Sequence, residues 1–112
     1  MNQPPASVIV LNYNTRELTL QCLASFAPAL DRRGWQIIVV DNGSRDGSAE
    51  ALPGQYPFVE IIRSERNLGF AGGNNLGLRQ AAGEIVFLMN SDVLAAADTL
   101  QALAHQFDVQ TN

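Results

Sequence analysis

Short apolar runs alternate along this chain with longer amphipathic segments. Each apolar run ends in polar or turn-forming residues, the pattern expected of β-strands. The predicted strands are Ser7–Leu11, Trp35–Val40, Phe58–Ile62 (weaker, because Glu60 interrupts it) and Ile85–Met89. The last run is unbroken between Gly83 and Asn90, which is typical of a strand buried on both faces of a parallel sheet. We therefore expect this strand to lie at the centre of the fold.

The segments between the strands carry helical patterns. Thr15 is a candidate N-cap for a helix that reaches about Leu30, with an apolar stripe at helical spacing. Cys22 lies on that stripe and is predicted to be a core residue. Two further helices are predicted over 48–52, ended by the Pro-Gly pair that follows, and over 99–107.

The segment Asn67–Gly77 is rich in glycine and asparagine. This composition predicts a loop that runs into a helix at about Leu76–Ala82. It is not a mononucleotide phosphate loop, because no lysine follows the glycines. It is not a dinucleotide fingerprint either, because the first strand is followed by NYNT rather than by G-x-G-x-x-G.

The alternation of strands and helices predicts an α/β fold with a mostly parallel sheet of about four strands and helices on both faces. With 112 residues, of which 46% are apolar, residues 1–112 form a single domain. The net charge of −4 argues against nucleic acid as a partner. No apolar stretch is long enough to span a membrane, and the N-terminus lacks signal-peptide features, so we expect a cytoplasmic protein.

Polar side chains follow three of the predicted strands. They are Asn12, Asp41 with Asn42, and the group Asn90-Ser91-Asp92. Since parallel strands place their carboxyl ends at one edge of the sheet, where ligands bind, Asp41 and Asp92 are expected to share that edge. Two acids without histidine or cysteine suit Mg²⁺ or Mn²⁺.

Two residues at this edge also have simpler interpretations. Asp92 would serve equally as a cap for the following helix. Tyr13 either offers a flat face to a base or sugar, or packs on the domain as amphipathic tyrosines often do.

Four motifs, SVIVLNYN, VVDNGSRDGS, NLGFAGGNNLG and FLMNSD, occur in this order over about residues 6–108. Together they resemble the inverting family-2 glycosyltransferases, and most closely the rhamnosyltransferase-like branch that builds bacterial cell-surface polysaccharides. The resemblance implies a Rossmann-like GT-A fold and a dTDP- or UDP-sugar as donor. It also implies a divalent metal ion and a carbohydrate or lipid-linked acceptor.

The same resemblance implies roles for individual residues. Tyr13 packs on the nucleotide base, Asp41 accepts a hydrogen bond from it, and Asp92 binds the metal ion that bridges the diphosphate. Asn90 occupies a position that is aspartate in the family motif, and Asn74 one that is arginine in many relatives. The predicted nucleotide-binding set is Asn12, Tyr13, Asp41, Asn42, Asn67, Gly69, Asn74, Asn75 and Ser91, and the predicted metal ligands are Asp92 and Asn90.

In the family that these motifs resemble, the catalytic base is an acid farther along the chain, in the acceptor-binding half. We therefore expect this chain to be a donor-binding half without a catalytic residue of its own, with an exposed flank that promotes self-association. Two alternatives stay open. A sugar-phosphate nucleotidyltransferase would need a glycine-rich, basic motif after the first strand, whereas a non-catalytic nucleotide-sugar-binding or assembly module would need only the binding residues.

Overall fold

The computed structural model describes the backbone of residues 3–111 and the side chains of residues 3–107. Strands and helices alternate throughout. The elements are β1 (Ala6–Asn12), α1 (Arg16–Arg32), β2 (Gln36–Asn42), α2 (Ser48–Gln55), β3 (Glu60–Ser64), α3 (Gly69–Gln80), β4 (Ile85–Asn90) and α4 (Ala97–Thr111).

The four strands form one sheet in the order β3-β2-β1-β4, and all three strand pairs are parallel. Side chains of β1 and β2 point alternately to the two faces of the sheet. Val8 and Val10 pack with the buried side of α1, including Cys22 and Phe26, whereas Ile9 lies in a second apolar cluster on the α3 side. The predicted α/β fold with a parallel sheet and helices on both faces is confirmed.

Helix α3 corrects the prediction for the glycine-rich segment, which is helical from Gly69 onward rather than a loop up to Leu76. Glycine is a poor helix former, so the reason lies in tertiary packing. A Cβ atom at Gly73 would lie 2.5 Å from Cδ1 of Leu11, and one at Gly77 would lie 2.6 Å from Cγ2 of Ile9. The missing side chains let the backbone of α3 pack directly on β1.

Strand β4 is formed as predicted, but it is not the centre of the sheet. It pairs with β1 on one side and has no strand partner on the other within the described residues. Its side chains are half-buried or exposed, and Leu88 is 48% exposed. The expectation of burial on both faces is therefore wrong, because an apolar run shows that a strand forms without showing its place in the sheet.

Helix α2 continues through Pro53 and Gly54 to Gln55, beyond its predicted end at Leu52. Proline lacks an N–H and leaves one helical carbonyl without its partner. The burial of Leu52 and Tyr56 against the main core keeps this last turn in place.

A polar network ties the strands together at the amino edge of the sheet. The Ser7 hydroxyl donates to Oε1 of Gln36 at 2.6 Å and accepts the backbone N–H of Gly83 at 2.9 Å. The amide of Gln36 in turn donates to Glu60 at 3.0 Å. These bonds fix the start of β4 relative to β1, β2 and β3.

Candidate functional site

The carboxyl edge of the sheet brings together several of the residues that the sequence analysis singled out. The strand register pairs Asn12 with Asp41 and Asp41 with Arg63, while Leu11 pairs with Asn90. Side chains from β1, β2, β3 and the segment after β4 therefore lie along one rim.

Asn12 lies at the centre of this rim and is completely buried. Its Nδ2 donates to Oδ1 of Asp41 at 3.2 Å and to the hydroxyl of Ser44 at 3.2 Å. Its Oδ1 accepts the hydroxyls of Thr15 at 2.8 Å and Thr19 at 2.7 Å. All of these bonds are internal, so the side chain of Asn12 organises its neighbours.

Asp41 is also completely buried, and its two carboxylate oxygens differ. Oδ1 accepts the amide of Asn12 and the backbone N–H of Ser44. Oδ2 accepts no hydrogen bond, and Nε of Arg63 lies 3.9 Å from it. A buried carboxylate oxygen without a donor is costly, so Asp41 offers an acceptor for a donor that a ligand brings.

Arg63 is a residue of this rim that the sequence pattern does not reveal. Its Nη2 lies 2.8 Å from Oε2 of Glu50, so the guanidinium is held between two acids. The register that brings it beside Asp41 depends on which strands are neighbours, which the apolar pattern does not reveal. Arg63 also lines a surface depression of about 440 Å³ together with Gly43, Ser44, Arg45, Ser64 and Glu65.

Three of the predicted nucleotide-binding residues hold the segment that leads into α3. Nδ2 of the buried Asn42 donates to Oδ1 of Asn67 at 2.9 Å and to the carbonyl oxygen of Gly69 at 3.1 Å. Oδ1 of Asn42 accepts the backbone N–H of Leu68 at 3.0 Å, and Oδ1 of Asn67 accepts that of Gly69 at 2.8 Å. Gly69 has φ +79°, a conformation that favours glycine.

Asn74 and Asn75 lie in α3, behind this segment. Asn74 is buried and its Oδ1 accepts no hydrogen bond, whereas Asn75 is exposed. Neither residue lines the surface depression formed by Tyr13, Asp92 and their neighbours at the ends of β1 and β4.

That depression, of about 290 Å³, lies where β1 and β4 end. Tyr13 is 45% exposed on it, and Asn90 and Asp92 are also exposed. Its lining residues are Leu11, Tyr13, Thr15, Leu18, Asn90, Ser91 and Asp92. Asp41 shares the rim with Asp92 but is not part of this lining.

The described residues contain no group of three or more histidine, cysteine or acidic side chains that could hold a metal ion. The oxygens at the tip of β4 come from Asn90, Ser91 and the single carboxylate of Asp92. These hard donors suit Mg²⁺ or Mn²⁺, which take one or two carboxylates and complete their coordination with water and phosphate. The residues present therefore fit a divalent ion that a ligand helps to bind.

Thr15 stands at the N-cap position of α1, as predicted, but its side chain makes no capping hydrogen bond. Its hydroxyl donates to Asn12 and lies 2.8 Å from the hydroxyl of Ser91. The first turn of α1 is capped by Asp46, whose Oδ2 accepts the backbone N–H of Arg16 at 2.9 Å. Oδ1 of Asp46 accepts the N–H and the hydroxyl of Ser48, at the start of α2.

This dual capping changes the acidity of Asp46. Desolvation raises its pKa, but the hydrogen bonds from the Ser48 hydroxyl and from the N–H groups of Arg16 and Ser48 outweigh that effect. The net result is a pKa below the ordinary value of 3.8. The Asp-Gly-Ser sequence at 46–48 is a turn signal that could have indicated this role.

Comparison with known proteins shows that this chain is similar to glycosyltransferases. A family model described as Glycosyl transferase family 2 matches residues 7–111. An uncharacterized glycosyltransferase, YfnE of Bacillus subtilis, is 38% identical over 96 residues, which cover 83% of this chain and 24% of that protein. The chain spans about a quarter to a third of the length of the first curated relatives it matches.

Two solved structures share the fold. The mannosyltransferase PcManGT from Pyrobaculum calidifontis, in complex with GDP-Man and Mn²⁺, aligns with a TM-score of 0.74 and 30% identity over 93% of this chain and 32% of its own. Residues 1–349 of S. aureus TarS, in complex with UDP-GlcNAc, align with a TM-score of 0.75 and 29% identity over 92% of this chain and 31% of that one. In the described part of the present chain, no helix has the length and apolar character needed to cross a bilayer.

Proposed function

Because this chain belongs to glycosyl transferase family 2, with the GT-A type of fold, we propose that it is the donor-binding half of an inverting glycosyltransferase. Residues 1–112 then form one domain that binds a nucleotide-diphosphate sugar. The observation that carries the proposal is the buried Asp41, whose Oδ2 has no hydrogen-bond donor, on the same rim as the exposed Asp92.

In this proposal the nucleotide base packs on Tyr13 and donates an N–H to Asp41. Uracil and thymine have such an N–H beside a carbonyl group, whereas cytosine has a bare nitrogen at that position. The proposed donor is therefore a dTDP- or UDP-sugar. Exposure of the Tyr13 ring and the unpaired oxygen of Asp41 support these roles.

Asn42, Asn67 and Gly69 shape the far side of the site through their mutual hydrogen bonds. Asn12 positions Asp41, and Ser91 lies next to the diphosphate. Asn74 and Asn75 belong to the proposed set as residues of α3, the helix that this segment leads into.

Asp92 and Asn90 would hold the divalent ion, Mg²⁺ or Mn²⁺. When bound, such an ion offsets the negative charge that develops on the departing diphosphate. Asp92 supplies the carboxylate and Asn90 an uncharged oxygen, so ligand phosphates are needed to complete the site. PcManGT, which was solved with GDP-Man and Mn²⁺, supports the use of a divalent ion, and the assignment to Asp92 and Asn90 is part of this proposal.

The base that deprotonates the acceptor hydroxyl is proposed to lie outside this chain. Two acids of the chain are engaged elsewhere, because Glu50 pairs with Arg63 and Asp98 pairs with Arg33. The acceptor, a carbohydrate or lipid-linked saccharide of the bacterial cell envelope, would bind a further part of the protein in the cytoplasm, at the inner face of the membrane. The outer edge of β4, which has no strand partner among residues 3–111, and the exposed Leu88 are where the isolated chain would self-associate.

Calorimetric titration of the chain with UDP and CDP, each with and without Mn²⁺, tests the proposal. We expect UDP to bind more tightly than CDP, and Mn²⁺ to strengthen UDP binding. Asp92→Ala should abolish the effect of Mn²⁺, and Asn90→Asp should preserve or increase it. Asp41→Ala should reduce the preference for UDP. Equal binding of UDP and CDP by the unaltered chain would contradict the role of Asp41, and an undiminished Mn²⁺ effect in Asp92→Ala would contradict the metal site.

A further inference from the structure

Four side chains form a continuous chain of hydrogen bonds across the rim, from Asp41 through Asn12 and Thr15 to Ser91. The donor–acceptor distances are 3.2 Å between Asn12 and Asp41, 2.8 Å between Thr15 and Asn12, and 2.8 Å between Thr15 and Ser91. This series of hydrogen bonds begins at the end of β2, crosses the end of β1 and finishes just beyond β4. It therefore connects Asp41, to which base recognition is assigned, with Ser91, the residue that directly precedes the proposed metal ligand Asp92.

The proton positions along this chain follow from the chemistry of its members. A carboxylate only accepts, so Nδ2 of Asn12 must face Asp41 and Oδ1 must face the threonines. The single hydroxyl proton of Thr15 goes to Oδ1 of Asn12, so the hydroxyl of Ser91 must donate to Thr15. Ser91 then keeps its lone pairs for a ligand beside Asp92.

The link from Thr15 to Ser91 holds a segment that the sheet itself does not hold. Pairing between β1 and β4 ends at Leu11 and Asn90, and β4 has no strand on its other side within the described residues. Ser91 and Asp92 lie beyond the last paired residue. Ser91 is buried, and the hydrogen bond between its hydroxyl and that of Thr15 holds the tip of β4 against the start of α1.

We propose that Thr15, acting through Asn12 and Ser91, is a positioning residue that sets the separation between Asp41 and Asp92, so that one nucleotide diphosphate reaches both. This inference rests on the proposed function of the site. A ligand that binds at both ends gains affinity when the two ends are held at the correct distance in advance. A ligand that binds only one end gains nothing from that fixed distance.

The experiment compares uridine, which reaches only the base end, with UDP in the presence of Mn²⁺, which reaches both ends. Thr15→Val keeps the shape of the side chain and removes its hydroxyl. The variant loses the hydrogen bonds of Thr15 to Asn12 and to Ser91, and we expect binding of UDP with Mn²⁺ to weaken about tenfold. Uridine binding, followed by NMR chemical-shift changes, should stay within about twofold. Thr15→Ser keeps the hydroxyl and should restore UDP binding.

Ser91→Ala provides a second variant that breaks the same chain from the other end, and it serves if Thr15→Val does not fold. Ser7→Ala is the matched control, because Ser7 is another buried hydroxyl that links β1 to β2 and to the start of β4, at the opposite edge of the sheet. It should lower the thermal midpoint without changing the ratio of UDP to uridine affinity.

The outcomes separate this inference from the proposed function. If the unaltered chain does not bind UDP, the proposed function fails. If the unaltered chain binds UDP with Mn²⁺ and both Thr15→Val and Ser91→Ala bind it equally well, the positioning role is refuted and the proposed function stands. A loss in Thr15→Val that is equal for uridine and UDP, or a similar loss in Ser7→Ala, would show a general structural effect and would also refute the positioning role.

Discussion

Asp46 is expected to contribute more to the stability of this chain than other surface acids do, because one carboxylate caps two helices. Its oxygens accept the first backbone N–H of α1 and that of α2. Loss of one N-terminal cap costs about 1 kcal/mol, and loss of a negative charge at a helix start costs about 0.3–1 kcal/mol. Asp46→Ala loses two such caps and the charge, and should therefore lower the free energy of unfolding by about 2–3 kcal/mol.

Urea unfolding at pH 7, followed by far-ultraviolet circular dichroism, measures this change. Asp98→Ala is the matched control, since Asp98 also lies in a first helical turn and forms an exposed pair with Arg33, worth less than about 1 kcal/mol. Asp46→Asn keeps only one acceptor oxygen and should fall between the two. An effect of Asp46→Ala no larger than that of Asp98→Ala would refute the dual-cap interpretation.

The pH dependence gives an independent check. The pKa of Asp46 is lower in the folded chain than its ordinary value of 3.8, so the unfolded chain binds the proton more readily. The stabilisation is complete above pH about 4 and is lost as the pH falls through the folded pKa. The difference between the unaltered chain and Asp46→Ala should therefore shrink below pH 3.8. A difference that stays constant down to pH 2 would contradict the assignment.

Two further predictions concern packing. Gly83→Ala should destabilise the chain by more than about 2 kcal/mol, because the added Cβ would lie 2.4 Å from the carbonyl carbon of Ala6. Gly54→Ala should instead stabilise α2 by about 0.5–1 kcal/mol, because the added Cβ would meet no neighbouring atom within 4 Å. Equal stability of the two variants in urea unfolding would contradict this. Burial, with a smaller contribution from Asp92, raises the pKa of the Cys22 thiol to about 11. At pH 8 the folded chain should therefore react with a disulfide reagent only after unfolding, and rapid labelling of the folded chain would contradict the burial of Cys22.

Much of the carboxyl edge could be predicted from the sequence, because strand ends and parallel topology are both visible in it. Asn12, Asp41 and Ser91 follow apolar runs, and parallel pairing necessarily brings such ends to one rim. What could not be predicted are the contacts that depend on register and on neighbouring order. Arg63 meets Asp41 only because β3 pairs with β2, and Thr15 meets Ser91 only because β4 returns beside β1.

The two wrong predictions of secondary structure and strand position have a common origin in tertiary packing. Composition predicts a loop for the glycine-rich segment, but close contact with β1 outweighs the low helix propensity of glycine. The apolar run of β4 predicts a central strand, although the side chains of β4 are half-buried or exposed. The local sequence pattern indicates which secondary structure a segment can form. It does not indicate which elements will lie beside that segment, or how closely they will pack.

The direct contact between α3 and β1 also determines which positions of that helix are free to vary. At Gly73 and Gly77 the helix backbone contacts β1 side chains directly, so a side chain at either position would move the whole helix away from the sheet. That movement would pull on the turn at Gly69, which Asn42 anchors. On the opposite side, Ala71, Leu78 and Arg79 are exposed. Mutational tolerance along α3 should thus rise and fall with the helical repeat, and a family could diversify the outer side of this helix while the dimensions of its binding rim stay constant.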